Sequence, residues 1–234
     1  MEQPRESESV IRAPWPVSVL GIGDSWTNNA VLVDWWDCLT ETWPKLTFVN
    51  EATSGKCLYD TTGTLGADTV VASIATDLNN NPDADIVVWG TSCINDLLRR
   101  AQGANAVTYA NLIGAAATVL AAIKAADKQC IVFCVPFGQW SIYFGAGVLA
   151  NFQAAEAIRV QFNDGLQTLC RLYGFTYYDP KWMYVNKGVE EVTDNGFIGI
   201  YTADGLHPSV DGAWIIAGDI ASRLRALPWR KAAA

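Results

Sequence analysis

The chain has 234 residues, half of them apolar, and carries 16 lysines and arginines against 24 aspartates and glutamates, a net charge of −8. That length suffices for one domain with a large core, and an acidic chain with no basic stripe to neutralise phosphates excludes nucleic acid as a partner. No run reaches the ~18 continuous apolar residues of a membrane span, and the polar first twelve residues lack the apolar stretch of a secretory leader.

Apolar runs of strand length alternate with helical patterns along the whole chain, the rhythm of a parallel sheet covered on both faces. A flexible arm is expected over residues 1–14. The first strand, 17–22, then runs into Gly23-Asp24-Ser25. The spacing of Val31, Leu32, Trp35, Leu39 and Trp43 predicts a helix over 28–43, stopped by Pro44. A short second strand at 46–49 leads into Asn50-Glu51-Ala52-Thr53-Ser54-Gly55, and a helix over 67–78 is closed by Asn79-Asn80-Asn81-Pro82. The third strand, 86–89, gives way to a loop, Gly90-Thr91-Ser92-Cys93-Ile94-Asn95-Asp96. A long helix over 105–126 precedes the fourth strand at 130–135 and a wide loop at 136–147. A helix at 152–173, a fifth strand at 175–178, an irregular stretch at 180–203 and a last helix at 209–227 follow. Arg99-Arg100 and Arg223-Leu224-Arg225 fall where predicted helices end, where cations suit the helix dipole. With no internal repeat and no linker, residues 15–228 read as one domain and 229–234 as a tail.

The six cysteines are scattered with no C-x-x-C pair, and a chain with one histidine is a poor candidate for a zinc site. They are expected to be reduced, half-buried small hydrophobes. With no leader in view, this leans towards a reducing, cytoplasmic compartment.

The single histidine, His207, lies in Asp204-Gly205-Leu206-His207-Pro208, far downstream of Gly23-Asp24-Ser25. Serine is a weak nucleophile until a base takes its proton, and only His207 offers an imidazole to Ser25. Asp204, three residues back, is near enough to fix the ring's tautomer if the loop makes one turn. Acyl transfer also needs donors aimed at the developing oxyanion. The Ser25 N–H, the Gly55 N–H and the Asn95 side-chain amide are the candidates. All three follow predicted strands, and an open parallel sheet binds ligands beyond the carboxyl ends of its strands.

In these residues the chain resembles the SGNH (GDSL-type) hydrolases, which carry Ser, Gly, Asn and His in four separate blocks. Gly23-Asp24-Ser25 matches the first, Gly55 the second, Asn95-Asp96 the third and Asp204 to Pro208 the last. The resemblance implies a flavodoxin-like three-layer α/β/α sandwich with a five-stranded, mainly parallel sheet. It further implies hydrolysis of carboxylic esters of small molecules or carbohydrates, with no cofactor and no metal. By analogy Ser25, Asp204 and His207 form the triad, and Ser25, Gly55 and Asn95 the oxyanion hole. Two positions depart from the pattern. Trp26 replaces the leucine usual after the serine, and is read either as a wall of the acyl pocket favouring acetyl groups or as cover for a helix start. Cys93 stands where a glycine usually precedes the asparagine, the nearest glycine being Gly90. Among the ten tryptophans, Trp140 and Trp182 in the wide loops are candidates to bind substrate, as are their neighbours Tyr143 and Tyr184. A second reading keeps the fold without the chemistry, as a carbohydrate-binding or assembly module. Oligomeric state is not legible.

Overall fold

The computed structural model of the chain describes residues 18–28, 34–44, 46–90, 93–136, 149–180 and 207–227. The expected arm and tail, Asp204, and the loop aromatics Trp140, Tyr143, Trp182 and Tyr184 lie outside the described residues. Five strands, β1 (Ser18–Ile22), β2 (Thr47–Asn50), β3 (Ile86–Trp89), β4 (Gln129–Phe133) and β5 (Thr176–Tyr178), form one sheet in the order β2-β1-β3-β4-β5. Every neighbouring pair is parallel, with Leu20 opposite Val49 on one side and Val87 on the other. Six helices occur among the described residues: α1 (Trp35–Thr42), α2 (Val70–Asn80), α3 (Ile94–Ala101), α4 (Tyr109–Ala125), α5 (Leu149–Tyr173) and α6 (Val210–Ala226).

Because successive strand residues point to opposite faces, each strand feeds two cores. Leu20, Ile22, Val87, Trp89, Cys130 and Val132 pack under α2, α3, α4 and α5. Val19, Ile86, Val88, Ile131, Phe133 and Tyr178 face α1 and α6. A parallel sheet buried on both sides needs apolar residues at nearly every strand position, and this is why β3 reads Ile-Val-Val-Trp without interruption. The result is the flavodoxin-like three-layer α/β/α sandwich. All six cysteines are free and fully buried, deeper than half-burial. No described helix is long and apolar enough to cross a membrane.

Two elements differ from the sequence reading. The helix expected from Asn28 begins only at Trp35. Asp34 is extended and its carboxylate accepts the Asp37 N–H at 2.9 Å, an N-cap that ends any helix running through it. The segment read as a loop from Gly90 to Asp96 turns helical at Ile94, so Asn95 and Asp96 sit in the first turn of α3. Ile94, Leu97 and Ala101 recur at helical spacing and are fully buried. The helix is only eight residues long and is followed closely by α4, whose start is fixed at Tyr109 by a Thr108–Asn111 capping box.

Candidate active site

In a 2-1-3-4-5 sheet the direction of winding reverses between β1 and β3, leaving a crevice beyond their carboxyl ends. Ser25, Gly55, Asn95 and His207 gather there. β1 ends at Ile22 and the chain turns sharply. The Asp24 carbonyl accepts the N–H groups of Thr27 and Asn28, while the Asp24 carboxylate accepts the Trp26 N–H at 3.0 Å. This Asx turn presents Ser25, with 8 % of its surface exposed, at the lip of the sheet. From the other end of the chain, the segment entering α6 brings His207 alongside, and Ser25 Oγ lies 2.8 Å from His207 Nε2. A neutral imidazole with its proton on Nδ1 accepts the serine hydroxyl through Nε2 at that distance, so the pair is set for transfer of the Ser25 proton.

The loop after β2 is laced to the Ser25 turn. Glu51 and Thr53 donate their N–H groups to the carbonyls of Gly21 and Gly23, at 2.8 and 3.1 Å. Asn28 and Asn50 exchange side-chain amides across the gap, onto the Ala52 and Thr27 carbonyls. Sequence reasoning gave neither asparagine a role in the site, reading Asn28 as a helix start and Asn50 as the beginning of a loop. The loop then makes a tight turn in which Lys56 donates its N–H to the Thr53 carbonyl at 3.0 Å. Gly55 occupies the third position with φ +82°, a left-handed conformation open to glycine and costly for most other residues.

From the third side, Asn95 donates its side-chain amide to the Lys56 carbonyl at 2.9 Å. An asparagine amide has two N–H groups, so one remains for a ligand. Among the described residues the backbone N–H groups of Ser25 and Gly55 also lack an acceptor. The glycine question at Cys93 has a physical answer. Gly90, not residue 93, packs flush against the Ser25 turn, and a Cβ there would overlap Thr27 Oγ1. Cys93 is buried, and that burial pushes its thiol well above the ordinary range, leaving it inert as a nucleophile.

Beside Asn95, Asp96 is completely buried and takes the N–H groups of Leu58, Tyr59 and Asp60 at 2.7, 3.1 and 2.7 Å. Burial pushes its carboxyl up to about 6, against the downward pull of those three donors. Asp60 has the opposite fate. Burial pushes it up, but hydrogen bonds from Thr62, Arg99 and Asn105 outweigh that and hold it below the usual carboxylate range. Lys56, itself buried, makes a 3.0 Å ion pair with Asp68.

Trp26 does not line a pocket. Its side chain is fully buried in the apolar cluster containing Trp35, Phe133 and Ile216, so the pocket-wall reading is corrected to a core role. A turn that points Ser25 outward sends the next side chain in the opposite direction. Trp26→Ala is therefore expected to cost about 3–5 kcal/mol, a fall of about 6–20 °C in Tm for a chain of this size, read by calorimetry. The preference among acyl chain lengths should stay the same; a shift towards longer chains would return Trp26 to the pocket. Because the indole N–H has no hydrogen-bond partner, Trp26→Phe should cost less than Trp26→Ala.

The crevice lies in a three-layer α/β/α fold, and the family that the chain's profile matches is one of carboxylic ester hydrolases. Residues 21–215 match the profile of the GDSL-like lipase/acylhydrolase family, and the chain belongs to that family. Solved structures agree in fold. A GDSL-like lipase from Bacteroides thetaiotaomicron is 17 % identical, with TM-score 0.64 over 90 % of this chain and 89 % of its own. A carbohydrate acetylesterase from Sinorhizobium meliloti is 12 % identical, with TM-score 0.67 over 91 % of this chain and 100 % of its own. An acetyl xylan esterase is 16 % identical, with TM-score 0.67 over 89 % of this chain and 100 % of its own. No curated protein sequence matches the chain.

Proposed function

We propose that the chain is a serine esterase that removes short acyl groups, acetyl above all, from carbohydrate or other small-molecule esters. The observation that carries this reading is the 2.8 Å approach of Ser25 Oγ to His207 Nε2 at the crevice of the sheet. In the first step Ser25 Oγ attacks the ester carbonyl while His207 Nε2 takes its proton. The C–O bond to the alcohol then breaks, the imidazolium returns the proton to the departing alkoxide, and an acyl-serine remains. Water attacks the acyl-serine with His207 again as base, releasing the carboxylic acid and free Ser25. Asp204 is assigned by position in the sequence to the orienting role on the imidazole.

In each step the carbonyl oxygen becomes an oxyanion, and the Ser25 N–H, the Gly55 N–H and the second N–H of Asn95 are the donors for it. Donors held in place before the reaction need no rearrangement as charge develops. The acetyl preference draws its support from the similar structures of a carbohydrate acetylesterase and an acetyl xylan esterase, Trp26 having been withdrawn as a pocket wall. A binding module without chemistry has no use for a serine hydroxyl set against the chain's one imidazole.

Treatment with a fluorophosphonate, followed by peptide mass spectrometry, tests the reading directly. One label per chain on Ser25 is expected, with parallel loss of p-nitrophenyl acetate hydrolysis. An unlabelled Ser25 in an active enzyme would refute it. Release of acetate from acetylated xylan, compared with cleavage of p-nitrophenyl octanoate, tests the substrate class. Asn95→Ala is expected to lower kcat by about 10²–10³-fold with a smaller change in KM, since its bond to the oxyanion strengthens in the transition state. If KM alone moves, Asn95 binds ground-state substrate instead.

A further inference from the structure

We propose that Asp96 is a positioning residue for the oxyanion hole, holding the loop on which the Gly55 donor and the Asn95 anchor depend. The inference rests on the esterase reading above. Asp96 is fully buried, and its two carboxylate oxygens take three consecutive backbone N–H groups, Oδ2 from Leu58 and Oδ1 from Tyr59 and Asp60. Its neighbour Asn95 donates to the Lys56 carbonyl. Two adjacent residues in the first turn of α3 thus grip residues 56–60, the segment that leaves the Gly55 turn. On the entering side, the same turn is fixed by the Thr53 N–H on the Gly23 carbonyl at 3.1 Å. Gly55 therefore hangs between two anchors, one belonging to the nucleophile turn and one to α3.

A buried carboxylate is costly unless fully hydrogen-bonded, and bonds from backbone N–H to a charged acceptor are shorter and stiffer than neutral ones. Leu58 and Asp60 approach at 2.7 Å, as that stiffness requires. Asp60 supplies the contrast within the same loop. Its carboxylate is equally engaged, by Thr62, Arg99 and Asn105, but those partners lead away from Lys56 towards the end of α3 and the start of the next loop. Asp60 braces the loop, whereas Asp96 sets where Lys56 and Gly55 sit. A displacement of about 1 Å at reacting groups can cost on the order of 10²-fold in rate.

Steady-state kinetics with p-nitrophenyl acetate on the full chain test the proposal. Asp96→Asn keeps the size but turns an acceptor into a donor facing N–H groups. It should lower kcat by about 10–100-fold with KM within about threefold. Asp60→Asn should lower Tm while kcat stays within about twofold of native. In the Asn95→Ala background, adding Asp96→Asn should cost less than it does alone, because one of the two donors that depend on it is already gone. Native kcat in folded Asp96→Asn, or its full loss repeated on top of Asn95→Ala, would overturn the proposal. Should Asp96→Asn fail to fold, Asp96→Glu keeps the charge but moves the grip by one methylene, and a lowered kcat at near-native KM is expected. Native kcat in Asp96→Glu, or failure of both variants to fold, marks Asp96 as merely structural and overturns the inference. The outcome is separable from the esterase reading. An active Ser25→Ala sinks both, whereas an inactive Ser25→Ala beside a native-rate Asp96→Asn sinks only the positioning role.

Discussion

Ser25→Ala is expected to lower kcat by more than about 10³-fold, with Tm within a few degrees of native. The change removes one oxygen atom at the lip of the sheet and leaves the Asx turn intact, since that turn is made by the Asp24 carboxylate and the Trp26 N–H. The thiols of Cys57 and Cys93 are buried, and burial pushes both above the ordinary thiol range, so neither supplies a thiolate. The residual rate should reflect the oxyanion donors and substrate binding alone, which still exceed the rate in water. Rapid mixing with p-nitrophenyl acetate should show a burst of one p-nitrophenol per chain for native enzyme and none for the variant. A variant with near-native turnover would remove Ser25 from the mechanism.

His207→Ala should cost a loss of the same order. More tellingly, the double variant Ser25→Ala/His207→Ala should be no slower than either single variant. Nucleophile and base act as one unit across the 2.8 Å contact, so removing the second partner has nothing left to abolish. Additive losses would mean that the two side chains work independently. The native rate should also fall on the acid side by about tenfold per pH unit, because a protonated ring cannot accept the serine proton and no second imidazole exists to replace it. A flat acid limb would point to another base.

The features most legible in the sequence were those that one physical rule decides. Strands buried on both faces must be apolar throughout, so 86–89 reads as a strand without context. A lone histidine paired with a serine just past a strand is rare enough in kind to single out both residues. Features decided by competition were harder. The apolar spacing extended the expected helix back to Asn28, yet the Asp34 carboxylate caps α1 just before Trp35, and periodicity carries no record of that cap. For α3, Ile94, Leu97 and Ala101 held the signal, with Arg99-Arg100 marking its end, but eight residues beside a longer helical pattern did not stand out. The orientation of Trp26 depended on which way a single turn faces, which composition does not encode. Asp96 looked like a local cap, because its three donors lie 36 to 38 residues away in the chain.

Ser25 and His207, the proposed nucleophile and base, are separated by 182 positions along the chain, one just past β1 and the other just before α6. Synthesis runs from the amino end at about 5–20 residues per second, so the serine leaves the ribosome roughly 10–40 s before the histidine. Throughout that interval the growing polypeptide holds a serine with no imidazole to activate it. On the proposed mechanism, hydrolytic power arrives late and all at once, when α6 docks. On that mechanism a nascent chain stalled before that point is silent towards esters, which makes appearance of the activity a clock for the docking of α6.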